Sequence, residues 1–167
     1  MYDRILVPTD GSSDADRAVE HALDLAETYG AALYVLYVVD TNSLPLDPRT
    51  QQVVGYLEEA GRRAEEKVLE RASGRDVDSV VTDVLEGSPH EAILEYADDN
   101  DVDLIVMGTH GRRGLDRVLL GSVTQRVLRT ADVPVLVVRP PSDDEAARPP
   151  TRVVGDGYSR ASVLSTW

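Results

Sequence analysis

Short, continuously apolar runs alternate along this chain with longer segments in which apolar residues recur at helical spacing. Runs without polar alternate positions are typical of parallel strands, which are buried on both faces. The pattern predicts five strands separated by four helices. The strands are ILV at 5–7, AALYVLYVVD at 31–40, VDSVVTDVLEG at 77–87, VDLIVMG at 102–108 and VPVLVV at 133–138. This order predicts an α/β fold with an open, doubly wound, five-stranded parallel sheet and helices on both faces.

Capping residues mark several helix ends. We expect Ser12 or Ser13 to cap the first helix and Gly30 to end it. Two later helices begin with the pattern of a capping box, in which Ser and a Glu or Gln three residues later satisfy backbone N–H groups. The two pairs are Ser88 with Glu91, around Pro89, and Ser122 with Gln125. The second helix is expected to bury the stripe Val53, Leu57, Ala60, Ala64 and Val68.

The alternation ends near Arg139. The last 28 residues, 140–167, hold four of the nine prolines and no long amphipathic period. We therefore predict one domain at 1–139, followed by a flexible tail at 140–167. The alternative is a tail that docks on a partner through the five apolar residues Val153, Val154, Val163, Leu164 and Trp167.

Overall charge excludes some classes of partner. The chain has 30 acidic and 17 basic residues, a net charge of −13, and Lys67 is its single lysine. Such a chain repels the phosphates of nucleic acids and anionic membranes, so we expect neither as a partner. No apolar run approaches the roughly 18 residues of a membrane span, and the absence of cysteine excludes disulfides and thiol chemistry. We expect a cytoplasmic protein, and the acidic, lysine-poor composition is typical of proteins from high-salt cells.

One stretch carries the opposite charge. Between Thr109 and Thr130 the chain has five arginines and one acidic residue, Asp116. A local positive field in an acidic protein indicates a specific anion. Arg126 and Arg129 also suit the end of a helix, where cations complement the helix dipole. The functional interpretation therefore stays open for Arg112 and Arg113.

Glycines occupy the same stretch in the spacing G-x2-G-x9-G-S, formed by Gly108, Gly111, Gly121 and Ser122. In an open parallel sheet, ligands bind beyond the carboxyl ends of the strands, where this loop lies. Glycine lets backbone N–H groups approach phosphate oxygens, and the following helix adds its positive end. The P-loop and G-x-G-x-x-G patterns are both absent. The spacing predicts a phosphate cradle of another kind.

With this spacing, the sequence resembles the ATP-binding subgroup of the A-type universal stress proteins. The segments ILVPTDGSS, LYVVD and MGTHGRRGLDRVLLGSVTQRVLRTADVPVLVV carry the resemblance, which extends from Met1 to about Arg139. It implies strand order 3-2-1-4-5 and ATP bound between the first and fourth strands. It also implies Mg²⁺ or Mn²⁺ held mainly through the phosphates, and a homodimer formed through the fifth strand, Val133 to Val138.

The resemblance also implies roles for individual residues. Asp10 would lie near the ribose and phosphates, although it could instead cap the turn into the first helix. Ser122 could likewise cap the fourth helix, and Val38 could simply pack in the core. The implied contacts are Pro8, Thr9 and Val38 for the adenosine, Met107 and Gly108 beside the ribose, Gly111 and Gly121 at the phosphates, and Ser122, Val123 and Thr124 at the helix start.

These observations favour an ATP-binding regulatory or sensor protein of the stress response, with at most slow ATP hydrolysis. No dedicated catalytic residue is identifiable: the three histidines lack metal-ligand spacing, and no G-x-S-x-G motif is present. His110 either assists phosphoryl chemistry or is simply solvated. The alternative function is a nucleotide-independent interaction or scaffold module of the same family. A true phosphotransferase is disfavoured, because a phosphate-binding lysine and a base are missing.

Overall fold

The computed structural model describes residues 1–44, 47, 49–109 and 120–139, and over these residues strands and helices alternate as the sequence predicts. The tail at 140–167 and the loop at 110–119 lie outside the described residues. The strands are β1 (Arg4–Thr9), β2 (Ala32–Asp40), β3 (Ser79–Gly87), β4 (Leu104–Gly108) and β5 (Val135–Val138). The helices are α1 (Ser13–Tyr29), α2 (Thr50–Ala72), α3 (Pro89–Asp99) and α4 (Ser122–Thr130).

The five strands form one parallel sheet in the order β3-β2-β1-β4-β5. This confirms the predicted fold class and strand order. From β1 the chain moves outward on one side to β2 and β3, and then crosses to β4 on the other side. The direction of winding therefore reverses between β1 and β4, which makes their carboxyl ends the topological switch point of the sheet.

Strand β5 begins at Val135, two positions later than the predicted start at Val133. Proline has no N–H to donate to a strand ladder, so Pro134 cannot extend the regular pairing. Its carbonyl still accepts a hydrogen bond from the N–H of Ile105 at 3.0 Å. The segment before Val135 is therefore tied to β4 without being part of the strand.

Alternate residues of the strands fill two apolar layers. Ile5 and Val7 pack with α1 on one face, whereas Leu6 packs with α3 and α4 on the other. A third cluster lies under α2, where Tyr37 and Val39 contact the helix. Helices α1 and α2 thus cover one face of the sheet, and α3 and α4 cover the other, as expected for a doubly wound fold.

Helix α1 has the predicted ends. Ser12 is its N-cap, and the Ser12 side chain accepts a hydrogen bond from the N–H of Ala15 at 3.3 Å. Gly30 ends the helix in the left-handed conformation, with φ of 64°. Because a residue with a Cβ is strained at this φ, glycine is the natural helix stop here.

The two predicted capping boxes do not form. Ser88 is the N-cap of α3, but its side chain makes no capping hydrogen bond, and its Oγ lies 3.0 Å from His90 Nδ1. At α4 the N-cap is Gly121, so Ser122 is the first helical residue and not the cap. The expectation for Ser122 and Gln125 was wrong by one position, because glycine supplies the extended backbone that enters the helix.

Helix α2 buries Ala64 and Val68 as predicted, and Leu57 packs against the third cluster. The first part of the predicted stripe is shifted by one position. Val53 is 42% exposed and Val54 is buried in its place. The helix crosses β2 closely at Gly61, where an added Cβ would lie only 2.8 Å from the Cδ1 atom of Tyr37. This close approach sets the rotation of the helix. Its buried residues are Val54, Gly61, Ala64 and Val68.

Candidate functional site

The two central strands separate from each other toward their carboxyl ends. In the described sheet, β1 and β4 are paired at Ile5–Leu104 and Leu6–Ile105. Beyond these pairs, β1 stays paired with β2 as far as Thr9, and β4 stays paired with β5 as far as Gly108. The last residues of β1 and β4 are thus paired outward and not to each other. This is the position at which open α/β sheets bind their ligands.

A tight turn connects β1 to α1 at this edge. Asp10 Oδ1 accepts a hydrogen bond from the N–H of Ser12 at 3.0 Å, and Thr9 Oγ1 accepts one from the N–H of Gly11 at 3.2 Å. Gly11 has φ of 74°, a conformation that glycine adopts without strain. The turn holds the carboxylate of Asp10 at the end of β1, so the side chain does cap the turn into α1.

The start of α1 lies directly against the end of β4. A Cβ at Gly108 would lie 2.9 Å from both the backbone carbon and the carbonyl oxygen of Asp14, and 3.3 Å from the nitrogen of Ala15. Thr109 Oγ1 donates a hydrogen bond to Asp14 Oδ2 at 3.4 Å. Only glycine at position 108 lets β4 and the first turn of α1 come this close.

The start of α4 is fixed to the same strand end. The N–H of Gly121 donates to the carbonyl of Thr109 at 2.7 Å, and Thr124 Oγ1 donates to the carbonyl of Gly108 at 3.0 Å. Thr124 is buried and Ser122 is exposed. Because the N-cap is glycine, no cap side chain covers the first N–H groups of this helix. The arrangement presents backbone donors, a hydroxyl and the positive end of a helix dipole beside Gly108.

An apolar surface adjoins these donors. Met107 is buried in the cluster between the sheet and α3 and α4, and Val38 and Val123 pack against that cluster. Pro8 is half-buried on β1, in register with Leu36 of β2. The structure therefore brings the predicted apolar site residues together at one edge of the sheet. Val38 also packs in the core, as the alternative interpretation of that residue proposed.

Some predicted residues cannot be placed. Gly111 lies outside the described part of the chain, as do His110, Arg112 and Arg113 of the same loop. In contrast, sequence reasoning missed Asp14, whose backbone contacts the end of β4. The only signal for it is its place in the first turn of a helix that follows the first strand. Nothing in the sequence indicates that β4 packs on this turn.

A separate cavity of about 300 Å³ lies between α2 and β3. Burial, and then the nearby carboxylate of Asp83, raise the pKa of the Glu65 carboxyl above its ordinary value. Burial and a hydrogen bond to Asp83 likewise raise the pKa of the Tyr96 hydroxyl. This cavity lies away from the switch point, and its walls are Glu58, Arg62, Glu65, Thr82, Asp83 and Val84.

Two features are absent from the described ranges. No group of three or more His, Asp or Glu side chains in these ranges is arranged to hold a metal ion. None of the described helices is long and apolar enough to cross a membrane.

The fold and the site define a doubly wound α/β domain with a glycine-containing loop closed at its switch point. Residues 1–139 match the universal stress protein family. The chain belongs to this family.

Three similar proteins are informative. Universal stress protein MJ0531 of Methanocaldococcus jannaschii is 41% identical over 147 residues, which cover 86% of each chain. The solved structure of protein MJ0577, a universal stress protein of the same organism, has a TM-score of 0.75 and 33% identity, and the match covers 85% of this chain and 99% of that one. A universal stress protein solved in complex with cAMP has a TM-score of 0.60 and 28% identity, over 83% and 97% of the two chains.

Proposed function

We propose that this universal stress protein is an ATP-binding sensor or regulator in the stress response, with at most slow ATP hydrolysis. The observation that carries the proposal is the closure of the loop beside Gly108, where the Gly121 N–H bonds the Thr109 carbonyl. This closure puts the start of α4 beside Thr109, whose side chain contacts Asp14 in the first turn of α1. We place the protein in the cytoplasm, a reducing compartment with which a chain without cysteine is compatible. We expect neither nucleic acid nor membranes as partners, because a net charge of −13 repels phosphates.

The phosphates are proposed to bind at the start of α4. Gly121 has φ of −60° and ψ of 150°, and it carries no side chain between a ligand and the first N–H groups of the helix. The exposed hydroxyl of Ser122 adds a donor. We assign Gly111 to the same phosphates from its spacing in the sequence. Backbone donors at a helix start are a common phosphate site, so this geometry suits a triphosphate.

The adenosine is proposed to lie across the apolar edge of the sheet. Pro8, Thr9 and Val38 provide its contacts, and Met107 and Gly108 lie beside the ribose. Asp10, which follows β1, lies near the ribose and the phosphates. The complex of a 28% identical relative with cAMP supports an adenine nucleotide.

A divalent cation, Mg²⁺ or Mn²⁺, is proposed to accompany ATP and to be held mainly by the phosphates. Mg²⁺ commonly binds proteins through one or two carboxylates and takes its other ligands from phosphates and water. Asp10 at the end of β1 fits this limited role, because its carboxylate is fixed by Ser12 at this edge. When bound, the cation would offset the repulsion between the triphosphate and an acidic protein.

The test is mass spectrometry of small molecules released from protein purified without added nucleotide, followed by calorimetric titration with ATP. We expect an adenine nucleotide in the released fraction, or ATP binding by protein that was isolated empty. Release of cAMP instead would redirect the proposal to a cyclic nucleotide. Protein that is empty and also fails to bind ATP would support the alternative, a nucleotide-independent interaction module.

We further propose a homodimer through antiparallel pairing of two β5 strands. Within the described sheet β5 pairs with β4 alone, and Leu136 on it is 40% exposed. Leu128 of the adjoining α4 is exposed to the same extent. An apolar edge strand without lysine favours pairing with its own copy around a two-fold axis.

Light scattering in high salt on the full chain and on a chain truncated after Arg139 tests the dimer and the proposed domain boundary. We expect dimeric mass and an unchanged melting temperature for both, because residues 140–167 are proposed not to pack on the domain. Monomeric mass for both chains would contradict the dimer. A dimer formed only after truncation would identify the tail as a cover for the β5 edge.

A further inference from the structure

Ser88 occupies the N-cap of α3 without capping the helix. Serine is favoured at this position because its hydroxyl accepts a hydrogen bond from a free N–H of the first turn. Here the side chain makes no such bond, and its Oγ lies 3.0 Å from Nδ1 of His90. The serine has therefore exchanged a stabilising cap for contact with a histidine. Because serine at an N-cap normally bonds the helix backbone, its contact with His90 instead indicates that the histidine has a function.

His90 is the first inward-facing residue of α3. It precedes Ile93 and Leu94 by three and four positions, so the three side chains share one face of the helix. Ile93 is buried in the cluster with Met107, and Leu94 packs against it. The side chain of His90 keeps 21% of its surface exposed. It thus lies one turn beyond the core packing, at the rim of the apolar edge.

The rim is at the carboxyl edge of the sheet. Gly87, the last residue of β3, is in register with Asp40, the last residue of β2. Helix α3 therefore begins beside the end of β2, just past Val38. From β4 to β2 is two strand spacings, about 10 Å. This distance matches the length of an adenosine whose phosphates lie at Gly121 and whose base lies over Val38.

We propose that His90, oriented by Ser88, reads the base of the bound nucleotide and favours adenine over guanine. This inference rests on the proposed function of the site. Ser88 is a positioning residue: its hydroxyl donates to Nδ1, which leaves the hydrogen of the neutral imidazole on Nε2. The carboxylate of Glu91, 4.0 Å from Nε2, favours the same tautomer. The Nε2–H then donates to N1 of adenine, whereas N1 of guanine carries a hydrogen and cannot accept there.

Calorimetric titration of a His90→Ala variant with ATP, GTP and tripolyphosphate tests the inference. We expect ATP affinity to fall about tenfold, as for the loss of one hydrogen bond. GTP and tripolyphosphate affinities are expected to stay at the wild-type values. His21→Ala is the matched control, because His21 is an exposed histidine on α1 and is expected to change nothing. An unchanged ratio of GTP to ATP affinity in His90→Ala would overturn the inference.

A Ser88→Ala variant separates positioning from helix capping. If Ser88 only supports α3, its loss lowers the melting temperature and leaves the preference for adenine intact, which contradicts the inference. We expect the opposite result, a partial loss of the preference with an unchanged melting temperature. Wild-type protein that binds neither ATP nor tripolyphosphate would overturn the proposed function together with this inference. Wild-type protein that binds ATP and GTP equally would overturn the inference alone.

Discussion

A Gly121→Val variant is expected to remain folded and to lose measurable ATP binding, a decrease of at least about a hundredfold. The backbone at Gly121 has φ of −60° and ψ of 150°, which any L-residue adopts, so valine introduces no backbone strain. Its two methyl groups would, however, cover the first N–H groups of α4. Loss of two charge-assisted hydrogen bonds to phosphate, each worth about 1.5–3 kcal/mol, is sufficient for this effect.

The measurement is titration calorimetry combined with thermal melting of the same samples. A Gly55→Ala variant is a suitable control for the effect of replacing a glycine away from the site, because an added Cβ at Gly55 has no neighbour within 4 Å. Its ATP affinity is expected to equal that of the wild type. A folded Gly121→Val protein with unchanged ATP affinity would show that the start of α4 does not bind the phosphates.

The second large effect is expected for Gly108→Ala. The new Cβ would lie 2.9 Å from two backbone atoms of Asp14, and backbone cannot rotate away as a flexible side chain can. The first turn of α1 must then move away from β4, at a cost of about 1–3 kcal/mol of unfolding free energy. The displacement would also disturb the turn that holds Asp10. We therefore expect weaker ATP binding in addition to lower stability.

Denaturant unfolding in high salt measures this loss, with Gly55→Ala as the internal comparison. Gly55 lies inside α2 with open space around it, so alanine there is expected to raise the unfolding free energy by about 0.5–1 kcal/mol. The two glycine-to-alanine changes thus have opposite expected signs. Equal stabilisation by both would show that β4 and α1 are not in close contact at Gly108.

Local sequence patterns predicted every strand and helix in the described ranges. The ends of α1 at Ser12 and Gly30 were also predicted, because caps depend on nearby residues. The strand order could not be predicted in this way. Alternation indicates a doubly wound sheet, but the order that the structure confirms came only from the resemblance to the family. The local pattern alone could not show which strands are neighbours.

The remaining differences arise from tertiary contacts. Val53 and Val54 are adjacent apolar residues, and the close approach of Gly61 to Tyr37 decides which of them faces the core. The contact of Thr109 with Asp14 joins residues separated by 95 positions in the sequence. Periodicity and capping rules describe neighbours along the chain, so none of these contacts could be predicted from them.

Gly121 is hydrogen-bonded to Thr109, and Thr124 is hydrogen-bonded to Gly108. The chain therefore leaves the end of β4 and returns to the same point. The eleven intervening positions, 110–120, therefore connect two ends that are held together. Lengthening a loop whose ends are already held together costs little free energy, since the entropy of closure grows only slowly with length. A change in the number or identity of these residues is therefore expected to leave the packing of the described strands and helices unchanged.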